Sequence, residues 1–148
     1  MKIILAPYSA KMSTGKPNAK DYAYWEELVE LLKDHKLTQI GVEGEKQLTK
    51  TFIKNASLEK IKKLLAENDL FISIDSFLPH LAHLVGKKGI VLWSQSDPKI
   101  FGYKENINLL KDKKYLRANQ FGNWEGVINQ KDSFVEPDKV LQALEKFG

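Results

Sequence analysis

DLFISIDSFLPHLAHLVGKKGIVLWSQSDPKIFGY, residues 69–103, holds two short apolar runs separated by a helix-sized segment. The first run, 70–74, stops at Asp75-Ser76. The second, 90–93, stops at Ser94-Gln95-Ser96-Asp97-Pro98. Unbroken apolar runs of this length fit strands buried on both faces, as in parallel sheets covered by helices. Each run delivers small polar and acidic residues at its C-terminal end, the place where open α/β sheets bind ligands.

Working outward, the same alternation continues. Residues 2–6 read as a strand. Residues 21–35 read as an amphipathic helix with Trp25, Leu28, Val29, Leu31 and Leu32 on its apolar side, closing near His35. A short strand is expected over 38–42, a short helix over 47–53, and a helix over 58–67 with Ser57 as N-cap. Residues 78–85 read as a helix, 106–110 as a further strand, and 137–147 as a closing helix with Pro137 in its first turn. Residues 111–136, rich in Asn, Gln and Lys, read mostly as loop. The expectation is α/β: a single Rossmann-like three-layer domain over 1–148, with a mostly parallel sheet of about five strands and right-handed crossovers.

The chain has 148 residues, enough for one domain with one core, and 43% are apolar. No apolar run approaches the roughly 18 residues of a membrane span. The start lacks a signal-peptide h-region, so the expected setting is cytoplasmic, with no transmembrane segment. There are no cysteines, which excludes disulfides and thiolate metal sites. The formal charge is +4, carried by scattered lysines and by one arginine, Arg117. Lysines mixed with acids read as a solvated surface, and no arginine-aromatic constellation for nucleic acid is present. A basic balance still favours a phosphorylated small ligand.

Asp75 and Ser76 fall where a strand gives way to a helix N-terminus, whose free amides and dipole favour anions. Helix capping is the alternative for both. Glu43 and Glu45 follow the second strand, where a carboxylate can accept from ribose hydroxyls, as in dinucleotide sites; Glu45 fits better by register. Solvated turn acids are the alternative. His80 and His83 share a helical face. The pair has no third ligand in view, so no metal is expected. Ser96, Asp97 and residues 99–103 can wall one end of a site, although Phe101 and Tyr103 fit core packing equally well. The polar segment 9–19 is long enough to fold over a ligand, but it lacks the spacing of a phosphate-binding P-loop.

These motifs resemble, in order, the C-terminal half of family 9 glycosyltransferases, the ADP-heptose:lipopolysaccharide heptosyltransferase group. Ser57-Leu58-Glu59-Lys60 is similar to the family's S-L-x-E helix start. Asp75-Ser76-Phe77-Leu78-Pro79-His80-Leu81-Ala82 is similar to its Asp-(Thr/Ser)-Gly turn followed by His-Leu-Ala. Trp93-Ser94-Gln95-Ser96-Asp97-Pro98 is similar to its Phe-Gly-x-Thr-x-Pro turn. Lys20-Asp21-Tyr22-Ala23-Tyr24-Trp25 resembles its Lys-x-Trp-Pro segment, and residues 41–45 resemble the turn after its second strand. The resemblance implies one half of the GT-B architecture, the half that holds a nucleotide-sugar donor, working without metal or other cofactor. It implies that Lys20, Ser76 and His80 face the donor's phosphates or sugar. Phe77 departs from the pattern. The family glycine lets the backbone approach a pyrophosphate, and phenylalanine adds a Cβ and a ring there.

Two functions follow. One is the donor-binding part of a metal-independent glycosyltransferase, with an acceptor-domain partner chain or a homodimer completing the cleft; no residue stands out as the catalytic base. The other is a non-catalytic nucleotide-, sugar- or protein-binding module derived from such a domain. A flavodoxin-like nucleotide-binding domain matches by fold alone.

Overall fold

The computed structural model describes residues 1–9, 18–124 and 127–147. Six strands form one all-parallel sheet: β1 (Lys2–Ala6), β2 (Lys36–Gly41), β3 (Thr51–Lys54), β4 (Leu70–Ile74), β5 (Gly89–Trp93) and β6 (Ile107–Leu110). Their order across the sheet is β3-β2-β1-β4-β5-β6. The chain moves outward from β1 in one direction, returns to its other side at β4, and continues outward. The boundary between β1 and β4 is therefore the topological switch point, where the loops diverge and leave a crevice.

The two apolar runs are β4 and β5, buried along their whole length. Their side chains alternate between two cores. On one face Ile3, Leu5, Leu70, Ile72, Ile90 and Leu92 pack with α1 (Trp25–Leu31) and α5 (Pro137–Leu144). On the other, Ile4, Phe71 and Val91 pack with Ile61 and Leu65 of α2 (Leu58–Glu67) and with Leu78 and Ala82 of α3 (Phe77–Leu84). Burial on both faces explains why these strands read as continuous rather than alternating apolar sequence. Between β5 and β6 lies a single turn of helix, α4 (Pro98–Phe101).

Three expectations are corrected. The segment expected as a helix over 47–53 contributes β3, which pairs with β2 from Thr38↔Thr51 to Gly41↔Lys54 and makes the sheet six-stranded. Thr51, Phe52 and Ile53 suit a pleated, half-buried edge. Buried Gln39 also holds the approach to β3 extended: its Nε2 donates to the Lys46 carbonyl at 2.9 Å, and the Leu48 N–H donates to its Oε1 at 2.7 Å. The helix expected over 21–35 is confined to α1. Its intended first turn is taken by a loop in which the Asp21 carboxylate accepts from the Ser9 N–H and hydroxyl, at 3.0 and 3.1 Å, instead of capping the helix. Leu31 is half-exposed rather than part of the apolar face, and His35 lies in the turn before β2. The Ser57 cap is as expected, accepting from the Lys60 N–H at 3.2 Å. The described residues of 111–136 are largely loop, yet Phe134 is fully buried, and the Tyr22 hydroxyl donates to the Val135 carbonyl at 2.7 Å.

Candidate functional site

Lys20 and Asp75 meet at the switch point, with Nζ 3.2 Å from Oδ2. Asp75 is the residue that follows β4. Lys20 is delivered by the loop that follows β1, and its backbone is tightly set. The Lys20 N–H donates to Asn18 Oδ1 at 3.0 Å, and the Asn129 amide donates to the carbonyls of Asn18 and Asp21 at 3.1 and 2.9 Å. The backbone that carries Lys20 is thus held by a distant loop as well as by β1. Much of segment 9–19 falls among residues 10–17, outside the described residues.

A cavity of about 560 Å³ opens on one side of this pair. Its walls are mainly apolar, with Ile40, Ile53, Leu58, Ile61 and Phe77 among them, and its polar groups include Tyr8, Glu45 and Asp75. Glu45 reaches it through a turn that the sequence builds with two glycines. Gly44 has φ +91°, which suits glycine, and Gly41 leaves the space that the Glu45 carboxylate occupies. The carboxylate folds back to accept from the Val42 N–H at 2.7 Å. Burial pushes the Tyr8 hydroxyl above its ordinary pKa, and the Asp21 and Glu45 carboxylates push it further, so Tyr8 remains a neutral donor. Burial also raises the pKa of Asp21, against the lowering effect of its two bonds from Ser9.

A second cavity, of about 310 Å³, lies on the other side. It shares Lys20 and Asp75 with the first and is lined also by His80, Ser96, Arg117 and Trp124. The Arg117 guanidinium lies over the Trp124 ring, 3.7 Å from its centroid, and Lys20 Nζ is 4.9 Å from the same ring. Arg117 donates to the carbonyls of Gln120, Gly122 and Asn123 at 3.0, 3.0 and 3.3 Å. Among the described residues its buried Nε–H has no partner, and burial lowers its pKa while Asp75 acts to raise it. With Lys20 and Arg117 facing Asp75, this cavity carries more fixed positive than negative charge.

Seven of the nine residues singled out from the sequence line these cavities. Lys20 and Asp75 belong to both; Glu45, Ser76 and Phe77 line the first, and His80 and Ser96 the second. Glu43 points elsewhere and pairs with Lys54 at 3.5 Å. Asp97 caps α4, accepting from the Lys99 N–H at 2.9 Å, and lines neither cavity. Ser76 occupies the N-cap position of α3 but makes no capping bond; its hydroxyl donates at 3.4 Å to the Ile74 carbonyl. Phe77 is half-exposed at the cavity wall. Tyr8, Arg117 and Trp124 were not singled out as site residues. The one available signal was that Arg117 is the only arginine in a lysine-rich chain.

The sequence profile of glycosyltransferase family 9 (heptosyltransferase) matches residues 6–124, most of the chain. The chain belongs to glycosyltransferase family 9. Comparison with curated proteins gives no match at a significant level. Solved structures agree on the fold. Escherichia coli heptosyltransferase WaaC with ADP superposes with a TM-score of 0.68 at 20% identity, covering 99% of this chain and 44% of that one. Escherichia coli ADP-heptose lps heptosyltransferase II gives 0.66 at 17%, covering 99% and 46%. The iron-containing dodecameric glycosyltransferase TibC from enterotoxigenic Escherichia coli gives 0.60 at 15%, covering 95% and 38%. The chain therefore spans less than half the length of these relatives. No helix among the described residues is long and apolar enough to cross a membrane.

Proposed function

We propose that this family 9 chain binds a nucleotide-diphosphate-sugar donor of the ADP-heptose type and needs a second domain or subunit for transfer. The observation that carries the reading is the pair of unlike cavities joined at Lys20–Asp75. The larger, apolar cavity suits a nucleobase, and Glu45 in its turn suits ribose hydroxyls. The smaller cavity, with Lys20, Arg117 and the nearby start of α3, suits the diphosphate and the sugar. The protein's own groups would hold and orient the donor. Of the carboxylates lining the cavities, Asp75 is tied to Lys20 and Glu45 to the Val42 amide. Neither stands ready to take a proton from an acceptor hydroxyl. A base and the acceptor surface would come from a second domain or subunit. A single donor-binding unit over 1–148 and a cytoplasmic setting belong to the same proposal.

Calorimetric titration with ADP, UDP, GDP and their sugar conjugates tests it. One nucleotide series is expected to bind. Lys20→Ala removes a charge-assisted contact to phosphate and is expected to weaken binding about ten- to hundredfold. Absence of binding by folded protein would discard the donor reading. It would favour a non-catalytic module, the reading that Phe77 supports by placing a bulky ring where the family has glycine.

A further inference from the structure

His80 belongs to a row of side chains on the exposed face of α3. The Tyr103 hydroxyl lies 2.8 Å from His80 Nδ1, with the two rings edge to face at 5.5 Å and 81°. His83, one turn later on α3, stacks flat on the other part of the same ring, at 4.0 Å and 14°. The Nδ1 of His83 is paired with the Glu105 carboxylate, which that bond holds below the usual glutamate range. The spacing of three on α3 is what lets both histidines meet one tyrosine.

The backbone of Tyr103 is anchored to the sheet. Its carbonyl accepts from the Asn108 amide at 3.0 Å and from the Asn106 N–H at 3.2 Å. Asn108 lies in β6 and accepts in turn from Trp93 Nε1, at the end of β5, at 2.9 Å. The side chain on this anchored backbone therefore addresses one nitrogen of the histidine that lines the second cavity.

We propose that Tyr103 is a positioning residue that keeps His80 in the Nε2-protonated tautomer, so that the second cavity is offered an N–H donor for a ligand oxygen. Of a phenol and a neutral imidazole, the phenol is the stronger acid and the imidazole nitrogen the better acceptor. Tyr103 thus donates to Nδ1, and the proton on His80 belongs to Nε2. The His83 ring stacked on Tyr103 helps to hold the phenol in this orientation. Glu105 and His83 act only through Tyr103. The proposal rests on the donor-binding reading for the identity of the ligand, an oxyanion or sugar oxygen, but its first consequence is visible without any ligand.

Nitrogen-15 NMR of the histidine rings in the free protein, at about pH 8 and above the ordinary histidine range, reads the tautomer directly. The proton of His80 is expected on Nε2 in the wild type, with that bias reduced in Tyr103→Phe, which keeps the ring under His83. Glu105→Gln is expected to leave the His80 tautomer in place. A wild-type proton on Nδ1, or an unchanged tautomer in Tyr103→Phe, would overturn the proposal. ADP titration supplies the second arm: Tyr103→Phe is expected to weaken binding roughly two- to tenfold, the range of one hydrogen bond. An altered tautomer with unchanged ADP affinity would also overturn the role in binding. If the wild type fails to bind ADP, the donor reading falls, while the spectra still decide the tautomer.

Discussion

The two cavities share an ion pair, but one is walled largely by the sheet and the other by a loop. The larger is framed by the ends of β1 and β2, by β3 and by the start of α2, with Ile40, Ile53 and Ile61 placed by strand pairing and helix packing. The smaller depends on residues 117–124, which pair with no strand. The Arg117 N–H donates to the Gln95 carbonyl at 3.0 Å, and the Arg117 guanidinium ties three carbonyls within the loop. Gln120 adds a bond from its amide to the Gln95 carbonyl at 3.0 Å and accepts from the Asp97 N–H at 2.8 Å. Packed elements make a preformed pocket; a loop held by side-chain bonds makes one that single substitutions can dismantle. On the proposed donor reading, the larger cavity, for the nucleoside, should therefore be the durable end and the smaller, for the diphosphate-sugar, the fragile one.

Arg117→Ala puts the largest strain on that contrast. It removes the donors to three carbonyls and the cation over Trp124 together. A loss of about 2 kcal/mol follows from leaving such carbonyls without partners, or roughly 4–8 °C in Tm for a chain of this size. The sugar-dependent part of donor affinity should fall much more than nucleoside affinity, because the larger cavity does not use Arg117. Parallel loss of adenosine and nucleotide-sugar binding would show that the two cavities are one cooperative unit, and the contrast would fail.

Asp75→Asn tests the shared wall. Asp75 occupies the ammonium that a diphosphate would claim, so removing its charge frees Lys20. A partly exposed pair of this kind is worth up to about 1 kcal/mol, so ADP should bind up to about fivefold more tightly. The gain of a sugar conjugate over bare ADP should shrink, because a carboxylate acceptor has gone. Weaker ADP binding in Asp75→Asn would mean that Asp75 places Lys20 rather than competing for it.

The same division explains what the sequence could reveal. β4 and β5 are continuous apolar runs with abrupt polar ends, so both the sheet and the position of Asp75 and Ser76 could be read from them. Lys20 and His80 could be nominated because family motifs mark them, and Glu45 because its turn follows a strand. The second cavity could not be read this way. Arg117, Gln120 and Trp124 act through contacts with backbone carbonyls and with each other across a loop that has no periodicity. β3 was hidden for a related reason: a buried glutamine, Gln39, fixes its approach by hydrogen bonds, and hydrophobic spacing carries no trace of them. Asp97 shows a competing local use. Its place after a strand suggested a site, but the local turn uses it to cap α4.

Asp21→Asn offers the smallest and sharpest test of the durable end. Asp21 stands beside the larger cavity, where burial and the Glu45 charge outweigh the two bonds from Ser9 and raise its pKa. The folded protein then holds this proton more tightly than the unfolded chain. Stability must fall as pH rises from the ordinary aspartate value through the raised one, and the deficit is fully present at neutral pH. Asparagine keeps an oxygen to accept from the Ser9 N–H and hydroxyl and carries no charge. The variant should match the wild type at about pH 3 and melt higher at pH 7. Because Asp21 is only partly buried, the gain should stay below about 3 °C. A lower Tm at pH 7 would mean that the stronger bonds a carboxylate accepts from Ser9 outweigh its burial. The loop that carries Lys20 would then be held by charge, and the larger cavity would depend on side-chain bonds as much as the smaller one does.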